Sequence, residues 1–182
     1  MNRASSTVIV GIAVSVLTLP GCQSAQPAEP PGPNYAKIPG QFPEPATTTT
    51  AGAEDAPVGS CVKITGKRTN AEMALTKCES PDATHRIVQR VVEPKDCVRD
   101  VDRRYYRNTS AGEWTACLDL YWANPGCLSI TDEATRAVPC NDTTAPNRFR
   151  ATKLVVGVSN GDMCKGYAHP VRRFTICTEM QK

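Results

Sequence analysis

Cysteine is the residue type in this sequence with the greatest chemical potential. Nine cysteines occur in 182 residues, and Cys22 stands apart from the rest. The other eight are Cys61, Cys78, Cys97, Cys117, Cys127, Cys140, Cys164 and Cys177. An even set without paired CxxC spacing, in a chain that is exported, predicts four disulfides. It argues against a zinc site and against a free thiol nucleophile.

Export is predicted by the first 21 residues. Arg3 provides a positive charge, and an apolar run from Val8 to Leu19 follows it. That run has the length of a signal peptide and is too short to span a bilayer. It ends in Leu19-Pro20-Gly21-Cys22, which has the form of a lipoprotein cleavage box, although Ala, Ser or Thr is usual where Pro20 stands. We predict that residues 1–21 are removed and that acyl chains on Cys22 anchor the protein to the outer face of the plasma membrane.

The two histidines, His85 and His169, each lie in a predicted loop beside a strand. This position favours surface or strand-edge residues over general bases. The sequence contains no serine-nucleophile elbow, zinc-binding helix motif or phosphate-binding glycine loop. We therefore expect no catalytic residue, no metal and no cofactor.

Three carboxylates, Asp96, Asp100 and Asp102, lie close together in the sequence with arginines between them. On a helix, Asp100 and Arg104 would be four residues apart and would form an ion pair. The pattern predicts a solvated, ion-paired helix face, and it gives little support to a pair of glycosidase carboxylates.

Composition divides the rest of the chain into a tether and a folded region. Residues 22–56 are rich in proline, alanine and threonine, which predicts a disordered tether after the lipidated cysteine. Aromatic content is 5% and the net charge is +3. Such a mild positive charge on an exported protein makes nucleic acid an implausible partner.

The folded region contains an internal duplication, with predicted units at 57–124 and 125–182. Gly59-Ser60-Cys61 corresponds to Pro125-Gly126-Cys127, and Trp114-Thr115-Ala116-Cys117 corresponds to Phe174-Thr175-Ile176-Cys177. Repeats of about sixty residues indicate tandem units rather than the turns of a solenoid.

Each unit is predicted to be a small α+β fold of the form β-β-β-α-β, with mostly antiparallel strands stapled by disulfides. The third strand is clearest, at 86–92 and 149–158, where β-branched residues are frequent. Pro94 suits a helix start, and Val98, Val101 and Tyr105 follow at helical spacing. In the second unit, residues 162–166 are expected to form one helical turn or a loop.

Two equivalent four-cysteine units allow three pairing patterns each if no bridge crosses between them. We predict that neighbours pair, so that hairpin strands are joined and the helix is tied to the last strand. The predicted bridges are Cys61–Cys78, Cys97–Cys117, Cys127–Cys140 and Cys164–Cys177. The nested pattern, first with fourth and second with third, is the alternative.

Aromatic residues and arginines concentrate near the end of the first unit. Alternation from Trp114 to Trp122 predicts a strand with both tryptophans on its apolar face, as core or inter-unit contacts. This leaves Tyr106, Arg107 and Tyr121 as the expected exposed contacts for a partner.

The order of these features resembles the LppU-type lipoproteins of actinobacteria, mycobacteria especially. The resemblance rests on the leader, the Pro-rich segment, Gly59-Ser60-Cys61-Val62 and Thr115-Ala116-Cys117-Leu118. It implies an exported, membrane-anchored protein and adds no activity. The sequence favours a non-enzymatic interaction or scaffold module with an unknown envelope protein or wall polymer as its partner. The alternatives are an envelope enzyme acting on wall polymer or lipid, and a carrier that holds a small apolar ligand between the units.

Overall fold

The computed structural model describes residues 35–123, 126–159 and 162–182. The expected signal peptide, Cys22 and the tether up to residue 34 lie outside them. In the described residues the chain forms two five-stranded antiparallel sheets. The first sheet contains β1 (Cys61–Thr65), β2 (Glu72–Thr76), β3 (His85–Val91), β4 (Arg103–Thr109) and β5 (Gly112–Leu120). The second contains β6 (Cys127–Ile130), β7 (Thr135–Val138), β8 (Arg148–Val156), β9 (Gly166–His169) and β10 (Phe174–Gln181).

The two sheets have the same topology. The strand order is β2-β1-β3-β5-β4 in the first and β7-β6-β8-β10-β9 in the second. Each strand of the first unit therefore has a counterpart five places later, and the two tandem units predicted from the duplication are present.

The predicted α+β class is wrong, because the described residues contain no α-helix. In the first unit Pro94 begins only a short 3-10 turn, Pro94–Asp96, closed by reciprocal hydrogen bonds between Glu93 and Asp96. The chain then leaves the turn because the Val98 N–H donates to the Gln89 side chain at 2.9 Å. The apolar residues at helical spacing belong instead to a loop, which contains Val98 and Val101, and to the edge strand β4, which contains Tyr105.

Residues 103–109 form the strand β4, where the end of a helix was expected. Tyr105 is buried and Tyr106 is exposed, which is the alternation of a strand with one face on the core. Its pairing with β5 runs the whole length of β4. In the second unit the expected helical turn is also absent, because residues 162–165 form a loop that leads into β9.

Each sheet covers its own apolar core. The first core includes Trp114, Ala116 and Leu118 of β5, as their predicted shared face requires. The second core includes Phe174 and Ile176, together with Leu120 and Trp122 of the first unit. Trp122 is therefore an inter-unit contact, and the end of β5 is packed into the second unit. We infer that the two units are joined by buried apolar surface as well as by the chain.

Residues 35–58, here called the arm, correct the predicted tether, because they pack against the first sheet instead of being disordered. The Arg90 N–H donates to Ala46 O, and the Thr48 N–H donates to Arg90 O. The buried Arg90 guanidinium donates to the Thr49 and Ala56 carbonyls. Composition predicted disorder because the arm has few apolar residues. The arm is nevertheless ordered, because Arg90 of β3 forms hydrogen bonds with the arm's backbone groups.

The four disulfides follow the predicted neighbour pairing rather than the nested one. Their Cα atoms lie 4.9 to 5.7 Å apart, within the usual range for a bridge. All eight later cysteines are used. Four bridges are compatible with an exported protein. No helix among the described residues is long and apolar enough to cross a membrane.

Candidate functional site

A buried ionic cluster joins the two units at the end of β5. The Arg172 guanidinium, from the second unit, donates to both oxygens of Asp119, with Nη1 to Oδ2 at 2.6 Å and Nη2 to Oδ1 at 2.9 Å. Its Nε donates to Asp100 Oδ1 at 2.9 Å. The Arg172 Nη1 group also donates to the Gln41 carbonyl of the arm at 2.9 Å. One side chain therefore connects the arm, the first unit and the second unit.

The Asp100 carboxylate is bound from several directions. Besides the Arg172 guanidinium, the backbone N–H groups of Val171 and Arg172 donate to its Oδ2 at 2.8 and 3.0 Å. Burial alone would raise the pKa of Asp100, but the hydrogen bonds and the charge of Arg172 outweigh it and lower that pKa. Asp100 is therefore ionised in the folded protein, as its pairing with Arg172 requires.

His169 lies beside the same guanidinium and is 2% exposed. Its Nδ1 is 2.7 Å from the Asp100 carbonyl and 2.8 Å from Arg172 Nη2. The two hydrogens of that Nη2 group are directed to Asp119 and to the same carbonyl. We therefore place a proton on the Nδ1 atom of His169. Nδ1 then donates to the Asp100 carbonyl, and Nε2 faces Asp102 Oδ2 at 3.9 Å. The ring stacks on Phe174 with centroids 4.3 Å apart.

Asp102 is the member of the cluster that opens to a cleft. Its side chain is 17% exposed, and its Oδ2 accepts the Leu120 N–H at 2.8 Å. Burial and the neighbouring Asp119 carboxylate raise the pKa of Asp102, His169 opposes them, and the net result is a pKa of about 6. Asp102 is therefore a carboxyl group that changes charge near neutral pH.

Asp102, Asp119 and His169 bring three potential ligand atoms within 4.8 Å of one another, which is close enough for one metal ion. Both Asp119 oxygens already accept hydrogen bonds from Arg172. A metal ion would have to compete with that guanidinium for the carboxylate. We therefore assign the three residues to the inter-unit ionic cluster, formed by Asp100, Asp102, Asp119, His169 and Arg172.

A polar cleft of about 1110 Å³ lies next to this cluster, between the two units. Along one side runs β4, which contributes five consecutive residues, 103–107. The first unit also contributes residues 69–72, and the second contributes Tyr167 and residues 130–132. Asp102 lies at the inner end of the cleft, where it joins the ionic cluster. Burial raises the pKa of Tyr167 to about 12, so its hydroxyl keeps its proton and remains a hydrogen-bond donor.

The β4 side of the cleft is basic and aromatic. The Arg107 guanidinium lies over the Tyr105 ring, 5.1 Å from its centroid. Tyr106 is 43% exposed, and Arg104 and Arg107 are exposed. Carboxylates are also present in the cleft, but Glu72 belongs to β2 and Asp132 to the turn before β7. The chemistry of the cleft is therefore hydrogen bonding and charge, with aromatic faces on one side.

The three residues expected to contact a partner differ in their exposure. Tyr106 and Arg107 are exposed neighbours on β4, as predicted. Tyr121 is not an exposed contact, because it is 6% exposed and packs with Cys61, Cys78 and Ala83. The strand pattern placed Tyr121 on the face opposite the first core. The loop held by the first disulfide covers that face.

Other sequence interpretations are also corrected. Of the surface or strand-edge position expected for the two histidines, the surface part is wrong, because His85 and His169 are both buried. The strand-edge part agrees with their positions at the start of β3 and at the end of the edge strand β9. Burial, with a contribution from Arg103, lowers the pKa of His85 to about 3, so His85 is neutral. Asp100 and Asp102 are not on a solvated helix face, because their carboxylates bind Arg172 and the Leu120 N–H. Asp96 alone remains in an exposed turn, where it accepts the Glu93 N–H.

Arg172 and Asp119 were missed as a pair by sequence reasoning. A signal for Asp119 did exist, because the buried part of β5, residues 114–120, has apolar or small residues on both faces and Asp119 as its single charge. A carboxylate in such a strand requires a cationic or hydrogen-bonding partner. The identity of that partner, 53 residues away, could not be read from the strand.

Comparisons of the chain with protein-family models, with curated proteins and with solved structures find no match.

Proposed function

We propose that this chain is an exported binding module whose ligand occupies the polar cleft between the two units. The observation that carries the proposal is the cleft itself, with five consecutive β4 residues along it and its inner end held by the inter-unit ionic cluster. A site held between two disulfide-stapled units is preorganised, which reduces the entropic cost of binding.

The composition of the cleft favours a polar ligand over an apolar one. Arginine, tyrosine, threonine and asparagine side chains predominate along its walls. A carrier of a small apolar ligand would require a predominantly hydrophobic cavity. The proposal therefore places this protein with modules that recognise a peptide or a hydrophilic polymer.

Binding also explains the site better than catalysis does. Asp102 has the raised pKa that a general acid would need, but the two titratable side chains beside it, Asp119 and His169, are buried. Asp119 and His169 are each 2% exposed, so neither reaches a ligand in the cleft. Asp102 is therefore better understood as a charge that responds to pH beside a bound ligand.

We further propose that the module is anchored through acyl chains on Cys22 at the outer face of the plasma membrane. The support is the leader, the cleavage box and the resemblance to LppU-type lipoproteins, together with four disulfides that suit an oxidising compartment. Intact mass of membrane-extracted protein tests this proposal. Acyl mass on a chain that begins at Cys22 is expected, and a chain that keeps residues 1–21 or lacks lipid would contradict it.

The cleft proposal is tested by mapping amide chemical shifts of the isotopically labelled domain. The probes are an octapeptide of alternating glutamate and valine, and an oligogalacturonate as a non-peptide polyanion. With at least one probe, we expect the shift changes to cluster at Tyr106, Arg107, Asp102 and Tyr167. The outer side of the β8–β10 pair, around Arg150 and Glu179, provides the internal control. Shift changes there alone, or none with either probe, would contradict a ligand site in the cleft.

A further inference from the structure

The strand along the cleft, β4, is an edge strand. In the described residues the first sheet ends at β4, which pairs with β5 on one side only. Its five consecutive cleft residues are explained most simply by a cleft that runs along the strand edge, because successive side chains of a strand point to opposite faces. The edge of a sheet, as well as its side chains, is therefore part of the site.

The register of the hairpin shows which backbone groups face the cleft side of β4. Thr109 pairs with Gly112 across a two-residue turn, so these residues exchange both backbone hydrogen bonds. In an antiparallel pair such residues alternate with residues that make no bonds across the pair. The N–H and C=O groups of Arg104, Tyr106 and Asn108 therefore point away from β5. They form a row of three donors and three acceptors suited to another strand.

Charge favours one kind of strand at this edge. Arg104 and Arg107 are exposed, and Arg104 is held by its bonds to the Pro94 and Arg99 carbonyls. A second copy of β4 would bring a second set of arginines to the same edge, and this concentration of like charge is unfavourable in a strand pair. A strand that carries carboxylates would place opposite charges there. Of the cleft carboxylates, Glu72 and Asp132 belong to other elements, and Asp102 lies just before β4, at the end far from Arg107. An added strand therefore meets the arginine at position 107 away from these carboxylates.

The size of the cleft allows a short stretch of chain as well as a small molecule. Its volume of about 1110 Å³ lies close to the upper limit of the roughly 300–1000 Å³ typical of small-molecule pockets. Strand addition provides affinity through the main chain and specificity through alternate side chains. A row of amides that point away from β5, beside an exposed arginine, therefore has the chemistry of a receptor for an extended acidic segment.

We propose that the cleft binds an extended acidic peptide as an added sixth strand on the edge of β4. This inference rests on the proposed function, because it identifies the ligand class of the same cleft. It assigns Tyr106 a backbone role, and it assigns Arg107, which lies on the Tyr105 face of the strand, the role of selecting acidic side chains.

Fluorescence anisotropy with a labelled octapeptide of alternating glutamate and valine tests the inference on the wild-type protein. A second peptide has the same sequence but is N-methylated at every residue, so that both edges lose their N–H donors and neither can pair with β4. We expect the N-methylated peptide to bind at least about tenfold more weakly, because several main-chain hydrogen bonds are lost. Equal affinity of the two peptides would overturn strand addition.

Variants at Tyr106 separate the main chain from the side chain. Tyr106→Pro removes an N–H that β5 does not use, and proline is tolerated at an edge position of this kind. We expect about a tenfold loss of affinity with Tyr106→Pro, and a smaller loss with the matched Tyr106→Ala, which keeps the N–H. If Tyr106→Pro binds as well as Tyr106→Ala, the backbone of β4 is not the receptor. Should Tyr106→Pro fail to fold, the comparison of the two peptides still decides the question.

Charge selection is tested by Arg107→Glu. We expect this variant to lose affinity for the glutamate–valine peptide and to gain it for a lysine–valine peptide, while Arg150→Glu, on the second sheet, leaves both unchanged. Unchanged peptide preference in Arg107→Glu would overturn the acidic assignment. If oligogalacturonate occupies the cleft and the peptide does not, the inference fails while the proposed function stands. If neither probe binds the cleft, both fail.

Discussion

Arg172 should contribute more to stability than any surface arginine of this protein, and Arg172→Met tests this directly. Methionine keeps an unbranched side chain in place but removes the charge and all five donors. The variant leaves Asp119 buried without its bidentate partner, and it removes one partner of Asp100. It also removes the bond to the Gln41 carbonyl.

The magnitude follows from the burial of the ions. Arg172 and Asp119 have side chains that are 3% and 2% exposed. Removing one partner of a buried ion pair costs about 3–5 kcal/mol, because the other charge remains uncompensated. We therefore expect Arg172→Met to lower the free energy of unfolding by that amount. The matched control is Arg150→Met, which breaks an exposed pair with Glu179 and should cost less than about 1 kcal/mol.

Urea unfolding of the oxidised protein, followed by tryptophan fluorescence, measures these differences. Trp114 reports on the first core and Trp122 on the second, so single Trp→Phe backgrounds distinguish the two units. Adding Asp119→Asn to Arg172→Met removes the unpaired charge and should recover part of the loss. Arg172 would not be the main ionic support of the fold if Arg172→Met cost no more unfolding free energy than Arg150→Met, or if Asp119→Asn cost the same with and without Arg172.

Two further predictions concern pH and the arm. The pKa of Asp102 is raised from 3.8 to about 6 in the folded protein, so the folded state holds more protons between those values and stability falls as the pH rises through them. Relative to Asp102→Asn, wild type should lose unfolding free energy on the order of 1 kcal/mol between pH 4 and 7, because the cleft screens this charge; urea titration measures the loss, and parallel pH profiles would contradict it. Gly52 has a φ of +70° and a Cβ there would lie 2.5 Å from the Trp114 ring, whereas Gly59 has a φ of +94° with open space around it. Gly52→Ala should therefore destabilise the first core by about 1–3 kcal/mol more than Gly59→Ala, in the range of an overpacked core site, and equal losses would mean that the arm does not pack on Trp114.

Short-range regularities of the sequence were sufficient for much of the fold. The matched positions of Cys61 and Cys127, and of Cys117 and Cys177, revealed two units because a duplicated fold keeps its bridges in register. Alternation placed Trp114, Ala116 and Leu118 on one face of β5, because a strand has a period of two whatever surrounds it. Neighbour pairing of the cysteines followed from the proximity of adjacent antiparallel strands.

Only the tertiary structure decided where the chain between Pro94 and Thr109 would go. The apolar spacing fitted a helix, but the bridge from Cys97 to Cys117 and the full-length pairing with β5 made the segment from Arg103 an edge strand. Local propensity is worth tenths of a kcal/mol per residue, and pairing along a whole strand outweighs it.

The site was likewise determined by contacts between distant residues. Composition predicted that residues 35–56 are a tether, because it carries no information on contacts with distant residues. In the structure Arg90 of β3 donates hydrogen bonds to carbonyls of the arm. Sequence spacing related Asp100 to Arg104, whereas the fold pairs it with Arg172, 72 residues away. Buried ions take the partner that the packing brings to them, because the energetic cost of an unpaired buried charge exceeds any local preference. The sequence therefore determined the units, their bridges and most of their strands, and the packing of the units against each other created the cleft.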